Sequence, residues 1–450
     1  MSDLPKNYAT VLLDEIASAS KERGDPTEAP DSPYVGLEHI EKDTAKLVGK
    51  GTAAEVKSTK SVFREGDLLY GKLRPYLNKV WIAEFEGLCS TDILVFSKSE
   101  ALDNRFLKYR FLARDFVSYA NANSSGVNLP RVNLKALGRF EIDLPPLPEQ
   151  RRIVARIEEL FSRLDAGVAA LRHSKAQLQR YRQSVLAAAV TGQLTQAWRE
   201  QHPDTEPADV LLGRILTQRQ EAWSGRGKYK EPSPINELPE VELPAGWEWC
   251  SLDTVSTALG GFAFKSKDYT DAGYQIVKMG NVRMHRLELE NKPSFIEKVP
   301  DDIVDKYLLR PNDVIITLTG TRKKRDYGYV AMIREEQNLL LNQRIALIRP
   351  SDLVDPGFLI LALSAEYFRD QFFASETGNV GQGNVSMKAV TATAFALPPL
   401  AEQRQIVAEV ETRTTVIDHL EAELDRQITR SNRLRQSTLS SAFKGRLTPQ

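Results

Sequence analysis

Cysteine, histidine and long apolar runs are scarce in this sequence. The two cysteines, Cys89 and Cys250, lie far apart, and the five histidines are scattered without the spacing of metal ligands. No run approaches the roughly 18 apolar residues of a membrane-spanning helix, and the first residues lack the pattern of a secretory signal. We therefore expect two buried free thiols, no metal site, no membrane association and a cytoplasmic location.

An excess of charge of one sign is also lacking, because 60 Lys and Arg residues balance 60 Asp and Glu residues. A zero net charge argues against a protein that coats nucleic acid through long-range attraction, although it leaves room for local basic patches. With 450 residues, the chain is too long for one core and can form roughly two to four domains.

Motifs of catalysis are missing as well. The sequence contains no Asn-Pro-Pro-aromatic motif of adenine methyltransferases, no glycine-rich cofactor loop between a strand and a helix, and no nucleophile elbow. The stretch GDLLYGKL places Gly66, Gly71 and Lys72 at phosphate-loop spacing, but Leu73 replaces the hydroxyl residue that must reach Mg²⁺. We expect no enzymatic activity and no cofactor in this chain.

What the sequence does have is a long internal repeat. The segments LPPLPEQRRIVARIEEL from Leu144 and LPPLAEQRQIVAEVETR from Leu397 begin stretches that align without a gap at an offset of 253 residues, and about 22 of 51 aligned positions are identical. A weaker similarity, called the upstream echo below, relates the segment LPKNYATVLLDEI from Leu4 to LPAGWEWCSLDTV from Leu243. The chain is therefore a duplication of a variable segment followed by a constant one.

Each constant segment has the pattern of one long helix. Apolar residues recur at steps of three, four or seven from Ile153 onward, and the second segment repeats this seam from Ile406 onward. Pro148 and Gly192 stand where a helix tolerates proline at its start and glycine after its end. About 44 residues at 1.5 Å each give roughly 66 Å. Because neither seam can stay exposed, we expect the helices to pair as an antiparallel coiled coil; the alternative is two separate surface helices.

The two variable segments predict domains of similar fold. GDLLYGKLRPYLNKVWIAEF and NDVIITLTGTRKKRDYGYVAMI each have a turn, a strand, a loop and a second strand, and an apolar helical stretch follows. The predicted fold class is α/β (α+β), with two similar mixed α/β domains separated by two long helices. We expect a first variable domain at residues 1–143, a helical segment at 144–195, a short helix and linker at 196–242, a second variable domain at 243–396 and a second helical segment at 397–450.

Basic, amide and hydroxyl residues occupy matching places in the two domains. Such side chains neutralise phosphates or contact base edges in the major groove. One run of this kind also fits a solvated hairpin tip, but two equivalent clusters favour DNA. The first cluster comprises Lys72, Arg74, Tyr76, Asn78 and Lys79, and the second comprises Thr317, Thr319, Thr321, Arg322, Lys323, Lys324 and Arg325.

The repeated LPPLxEQRxIVA, the downstream RQSxLxxAxxGxLT and the stretch GDLLYGKLRPYLNKV resemble the specificity subunit of type I restriction-modification enzymes over essentially the whole chain. The resemblance implies that two target-recognition domains each read one half of a bipartite double-stranded DNA site, with the paired helices as a ruler. It also implies docking of two adenine-methyltransferase subunits and, in a full phage-defence enzyme, of ATP-dependent translocating restriction subunits. S-adenosylmethionine, Mg²⁺ and ATP would then belong to those partners.

The resemblance adds candidate DNA contacts on further loops. GGFAFKSKDY and VKMGNVR look like recognition loops of the second domain, and YVGLEHIE occupies the comparable place in the first. The loops at residues 126–131 and 378–384 precede short helices and are expected to approach the DNA backbone closely. The added candidates are Glu38, His39, Asn128 and Arg131 in the first domain and Phe264, Lys265, Ser266, Lys278, Asn281, Arg283, Gln382 and Asn384 in the second.

Two alternatives stay open at the level of sequence. A coiled-coil rod with two end domains could bridge protein partners without DNA, and it would explain the duplication and the neutral charge equally well. The steep salt dependence of phosphate contacts separates the two interpretations. The chain could also be the recognition subunit of a modification-only system, a difference that lies in other chains.

Overall fold

The computed structural model describes residues 7–224, 228–379 and 381–447. Leu4 and Pro5 of the upstream echo and Thr448 at the end of the second repeat lie outside the described residues. The chain divides into two units. The first unit comprises Met1–Lys175 with Ala422–Gln450, and the second unit comprises Ala176–Glu421.

The first unit contains a five-stranded mixed sheet and a three-stranded antiparallel sheet. The three-stranded sheet has Leu68–Gly71 between Val80–Ile82 and Ile93–Phe96, which confirms the strand and hairpin partner predicted for this stretch. Leu68–Gly71 is buried at every position, as expected for the central strand of a sheet covered on both faces. The order of the five-stranded sheet is Arg23–Gly24, Lys60–Phe63, Gly87–Cys89, Pro33–Val35 and Gly51–Thr52.

The remaining elements of the first unit surround these sheets. Ala9–Leu12 pairs with Glu141–Leu144, and the latter leads directly into the first long helix. The others are strands Ser124–Ser125 and Arg131–Val132, helices Leu13–Ile16, Asn104–Leu112, Arg114–Ala122 and Leu134–Gly138, and short 3₁₀ helices Leu37–His39, Ala53–Glu55 and Pro75–Leu77.

The second unit repeats the plan with a larger antiparallel sheet. Its four strands lie in the order Ser256–Gly260, Ile345–Pro350, Val314–Thr317 and Val330–Met332. A three-stranded sheet has Tyr274–Val277 between Phe295–Ile296 and Leu339–Leu341, and two-stranded pairs join Glu248–Ser251 to Ala394–Leu397, Val282–Arg283 to Arg286–Leu287 and Thr319–Thr321 to Gln382–Asn384. Its shorter helices are Gln196–Gln201, Ala208–Glu221, Leu252–Val255, Asp301–Tyr307, Pro356–Ser364, Glu366–Ala374 and Met387–Thr391, with 3₁₀ helices Ser266–Asp268 and Met279–Asn281.

The apolar helix predicted in each domain is two helices in the structure. Ala113 interrupts the first with an extended backbone (φ −72°, ψ 141°), and Ala365 interrupts the second in the same way (φ −64°, ψ 150°). Alanine favours helices, so packing decides the break. In the first unit the rings of Phe111 and Phe116 stack across it with centroids 4.1 Å apart.

Both long helices form as predicted. They span Leu147–Val190 and Leu400–Phe443, 44 residues each. Gly192 follows the first with φ +73°, the left-handed conformation expected after a helix end. Each helix supplies residues to a different apolar core at each of its ends, because Ile153 and Leu439 lie in the core of the first unit while Val185 and Ile406 lie in that of the second.

The long helices run antiparallel within each unit. In the first unit Asp165 pairs with Arg435 and Lys175 pairs with Asp425, so residue numbers rise along one helix as they fall along the other. In the second unit Arg182 pairs with Asp418 at 2.5 Å. The repeat relates Asp165 to Asp418 and Arg182 to Arg435. The ion pair between the two helices in one unit is therefore formed by the repeat equivalents of the residues that form it in the other. The predicted antiparallel pairing is confirmed.

In the segment between the repeats, one helix packs in the core of the second unit. The predicted short helix spans Ala208–Glu221, and its apolar face enters the core through Leu211 and Ile215, both buried. A further helix, Gln196–Gln201, was not predicted. Within the described part of the chain, no helix is both long and apolar enough to span a membrane.

Candidate nucleic-acid interface

In the first unit, the loop after strand Leu68–Gly71 is joined to the hairpin that ends at Val132. The N–H of Arg74 donates to the carbonyl of Pro130 at 2.7 Å, and the N–H of Val132 donates to the carbonyl of Lys72 at 3.0 Å. Arg74 and Asn78 adopt left-handed backbone conformations (φ 53° and 42°) on either side of the short helix Pro75–Leu77. Loop 72–79 and hairpin 124–132 therefore form one surface.

Four predicted contact residues of this surface point into solvent or lie at its edge. Arg74, Tyr76 and Asn128 are exposed, with Tyr76 at 50%. Arg131 is also exposed, but its guanidinium already has a hydrogen-bond partner. Its Nε and Nη2 atoms donate to the carboxylate of Asp92 at 3.1 and 3.3 Å. This hydrogen-bonded carboxylate raises the pKa of the Arg131 guanidinium.

The other predicted residues of the first unit differ in how far they are exposed. Asn78 is 1% exposed, and Lys72 is half-buried. The Nζ of Lys79 donates to the carbonyl of Leu37, which ties the loop to helix Leu37–His39. On that helix Glu38 is exposed, whereas Nδ1 of His39 accepts from the N–H of Gly36 at 3.0 Å. A DNA contact by any of these side chains stays a prediction.

In the second unit, a two-stranded ribbon carries four predicted residues. Thr319 faces Asn384 and Thr321 faces Gln382 across the pair. Thr321, Gln382 and Asn384 are exposed, whereas Thr319 is buried and its hydroxyl donates to Sδ of Met279 at 2.8 Å. Thr317, on the preceding strand, is also buried. The ribbon, defined as Thr319–Thr321 with Gln382–Asn384, thus exposes a polar edge.

The basic run follows the ribbon as a turn. Lys323 and Lys324 are exposed. Arg325 has φ +47° and its guanidinium lies over the ring of Phe373 at 4.8 Å. Arg322 is held differently, because its Nε donates to the carboxylate of Glu376 at 2.7 Å.

A buried tyrosine holds the other side of the same carboxylate. The hydroxyl of Tyr327 donates to Oε1 of Glu376. The hydrogen bonds from Tyr327 and Arg322 lower the pKa of Glu376, and burial together with the carboxylate raises the pKa of Tyr327. Glu376 is therefore ionised and Tyr327 neutral at physiological pH.

The loops at residues 264–266 and 278–283 contribute fewer exposed groups. Lys265 and Ser266 are exposed, while Phe264 packs on Phe262 with ring centroids 5.0 Å apart. Nζ of Lys278 donates to Ser294 at 2.6 Å and Arg283 pairs with Glu288 at 3.4 Å.

Asn281 is 1% exposed in this region and donates to the carbonyls of Glu288 and Asn291 at 3.0 and 2.9 Å. It therefore fixes the loop backbone. The contact between Thr319 and Met279 joins this loop to the ribbon.

The two units share one loop framework but carry different side chains on it. The N–H of Val385 donates to the carbonyl of Leu318 at 2.9 Å, as Val132 does to Lys72 in the first unit. The helices that follow, Leu134–Gly138 and Met387–Thr391, are capped by Asn133 and Ser386. Sequence analysis predicted both loops as DNA contacts but did not predict the backbone contacts that hold them.

Three neighbours of the site were missed by sequence reasoning. Asp92 and Arg344 occupy the same place in the two frameworks, since their carbonyls accept from the N–H groups of Lys72 (2.9 Å) and Leu318 (2.8 Å). Glu376 is the third. All three stand outside any charge run, so only the tertiary contacts identify them. The described residues contain no group of His, Cys, Asp and Glu side chains that could hold a metal ion.

A family model for the type I restriction modification DNA specificity domain matches residues 5–171 and 244–430 of the chain. The chain belongs to this family. Each matched segment contains one of the two loop frameworks described above and ends within a long helix.

Known specificity subunits resemble the chain over different lengths. The EcoDI subunit of Escherichia coli is 34% identical over 49% of this chain and 50% of its own length, so the chain matches about half of that relative. The EcoBI subunit of the same species is 26% identical over 85% of this chain and 74% of its own length.

Solved structures of the family have the same fold. A chain from a study of complex assembly and conformational transition of the type I R-M system aligns over 99% of this chain and 100% of its own length, with a TM-score of 0.74 and 22% identity. The HsdS subunit from Thermoanaerobacter tengcongensis aligns over 98% of both chains, with a TM-score of 0.56 and 22% identity. The predicted fold class and the predicted family are confirmed.

Proposed function

We propose that this chain reads a bipartite double-stranded DNA site as the non-catalytic specificity subunit of a type I restriction-modification complex. Residues 1–143 and 243–396 would each read one half-site. The observation that carries the proposal is the shared loop framework, in which Val132 and Val385 make the same backbone contacts while the exposed side chains differ. A constant scaffold with variable loops is the arrangement that lets two copies of one fold recognise two different sequences.

The constant segments at residues 144–195 and 397–450 would set the distance between the half-sites. Each long helix continues unbroken over 44 residues and anchors in the core of one unit at each end. A helix of this length spans roughly 66 Å, and duplex DNA rises about 3.4 Å per base pair. Paired helices that act as one rigid spacer would favour a fixed number of unread base pairs.

Catalysis would reside in partner subunits. Two adenine-methyltransferase subunits would dock on the helical segments, and restriction subunits with ATP-dependent translocation would complete the enzyme where they exist. S-adenosylmethionine, ATP and Mg²⁺ would bind to those subunits, in the cytoplasm where chromosomal DNA lies. In the segment at residues 196–242, helix Ala208–Glu221 packs in the core of the second unit, and we propose no DNA contact for the segment.

Methylation mapping tests the proposal directly. The chain is co-expressed with its neighbouring methyltransferase subunit, and methylated adenines are mapped across the host genome by single-molecule sequencing. We expect one bipartite motif with a fixed gap, which is absent when the methyltransferase subunit is expressed alone. An assembled complex that binds S-adenosylmethionine but methylates no motif would instead support a protein-bridging scaffold.

A further inference from the structure

We propose that Arg322 reads a guanine in the half-site of the second unit, with Glu376 as its positioning residue. This inference rests on the proposed function and deepens it, because it separates a base-reading side chain from the phosphate-contacting lysines beside it.

The carboxylate holds one edge of the Arg322 guanidinium. Nε of Arg322 donates to Oε2 of Glu376 at 2.7 Å. The two terminal nitrogens of Arg322 make no hydrogen bond among the described residues. The side chain of Arg322 is 39% exposed, whereas that of Glu376 is 15% exposed. The Nη1–Nη2 edge of this planar group is therefore the part left free to bind a ligand.

Glu376 cannot turn away from this position. Its other oxygen accepts from Tyr327, which is fully buried and packs against Phe372 and Phe373 with ring centroids 5.9 and 5.2 Å away. A Cβ atom at Gly383 would collide with both the Glu376 carboxylate and the Tyr327 hydroxyl, so the ribbon carries glycine here to leave room for them. The side chain of Arg322 is thus ordered before DNA arrives, which reduces the entropy lost on binding.

The charge of the pair argues against a phosphate contact. Arg322 and Glu376 together are neutral, and the carboxylate repels a nearby phosphate. Lys323 and Lys324 next in the turn are exposed and have no carboxylate partner among the described residues, so they suit phosphates.

The geometry of the free edge selects guanine. Two parallel N–H donors match the O6 and N7 acceptors of guanine in the major groove, whereas adenine offers one acceptor and one donor there. A bidentate contact of this kind discriminates against other bases by roughly 5- to 150-fold.

Competition binding with the complete complex tests the assignment. Duplexes carrying the mapped motif are compared with duplexes in which one guanine at a time is replaced by 7-deazaguanine, which lacks the N7 acceptor. With the unaltered complex, one guanine of one half-site should be sensitive to the replacement. In the Arg322→Ala complex, sensitivity at that guanine should vanish, while the other half-site serves as an internal control and keeps its selectivity.

Two further variants separate positioning from charge. Glu376→Gln should reduce discrimination at the same guanine and raise affinity for unrelated DNA, because it leaves Arg322 with an uncompensated positive charge; a merely structural role would alter stability and leave the discrimination ratio unchanged. The double variant Lys323→Ala, Lys324→Ala should weaken binding evenly across sequences and reduce the salt slope by about 2.

The assignment is overturned if Arg322→Ala weakens all duplexes equally and lowers the salt slope, or if no guanine of the half-site responds to 7-deazaguanine. These outcomes leave a bipartite motif intact. Failure of the proposed function differs, because then the unaltered complex yields no motif.

Discussion

The side-chain carbonyl of Gln150 accepts a hydrogen bond from the backbone N–H of Asp103 at 2.9 Å. The amide group of the same glutamine donates to the carbonyl of Pro145, also at 2.9 Å. The repeat-related Gln403 makes the same two contacts in the second unit, with Asp355 at 2.8 Å and Pro398 at 2.9 Å. Each glutamine is buried, so each fastens the start of a long helix to its unit.

Removing the hydrogen bonds of Gln150 should destabilise the first unit. Gln150→Ala leaves the N–H of Asp103 and the carbonyl of Pro145 without partners, and we expect the free energy of unfolding to fall by roughly 1–3 kcal/mol. Chemical denaturation measures the change. Ser174→Ala, on the exposed side of the same helix and within the first unit, is the matched control and should stay within about 0.5 kcal/mol. Equal effects of the two variants would contradict a joint at Gln150.

A buried carboxylate plays a comparable role in the second unit. Glu402 is fully buried and accepts hydrogen bonds from Thr195 (2.6 Å), Trp247 (2.9 Å) and Arg199. Glu402→Ala leaves a partly buried guanidinium unpaired, and we expect a loss of roughly 3–5 kcal/mol in denaturation experiments. Glu411→Ala on the exposed face of the same helix is the control. A loss no larger than that of the control would mean that the cluster contributes little.

Lengthening the helices tests the ruler. Four residues, about one turn, inserted beside Lys175 in the first long helix and beside Asp425 in the second should add roughly 6 Å to the rod. We expect the unread spacer of the methylation motif to change by one or two base pairs while both half-site sequences stay the same. An insertion in one helix alone breaks the register and serves for comparison. Altered half-sites with an unchanged spacer would rule out the ruler.

The first half-site should depend on Arg74. Its side chain is exposed on the loop that Pro130 and Val132 hold in place. Arg74→Ala should weaken binding to the first half-site by roughly 5- to 150-fold if it contacts a base, and should lower the salt slope by about 1 if it contacts a phosphate. Competition with duplexes mutated in one half-site measures the effect. Arg163→Ala, on the exposed face of a long helix, is the charge-matched control. Unchanged DNA binding by the Arg74→Ala variant would contradict a DNA contact by this loop.

Each unit carries one buried thiol. Burial raises the pKa of Cys89 to about 12, and burial together with the carboxylate of Glu248 raises the pKa of Cys250. Both thiols are free. At pH 8 the native protein should therefore react with iodoacetamide far more slowly than the denatured protein at both positions, as peptide mass spectrometry can measure. Rapid native labelling at one cysteine would show that its unit opens.

The same shift gives stability a pH dependence. The unfolded chain releases the Cys89 proton above roughly pH 8.5, whereas the native thiol keeps it up to about pH 12. The native state binds more protons in this window, so the free energy of unfolding should fall as pH rises, by up to about 1.4 kcal/mol per pH unit. Cys89→Ala should flatten this slope in denaturation series, and Cys250→Ala should do so for the second unit.

Some features of the fold could be predicted from the sequence and others could not. The helix bounds near Leu147 and Val190 follow from local signals, an apolar period and a glycine beyond the end. The breaks at Ala113 and Ala365 carry no such signal, because alanine itself favours helices, and the first break is accompanied by the stacked rings of Phe111 and Phe116.

The candidate site likewise has features that the sequence predicted and features that it did not. Residue type and matching loops predicted which segments carry the polar groups, and the structure joins them in each unit through Lys72 and Leu318. It also places Asn78 and Asn281 in the interior, and the Asn281 side chain holds its loop through hydrogen bonds to two backbone carbonyls.

The duplication, the two long helices and the family were predictable from the chain alone, because repeats and periodicity are properties of the sequence. Which polar side chains are free and which are held depends on tertiary packing. Arg322 and Glu376 lie 54 residues apart, and their contact depends on how Tyr327 and Gly383 pack. Long-range packing of this kind leaves no local pattern in a single sequence.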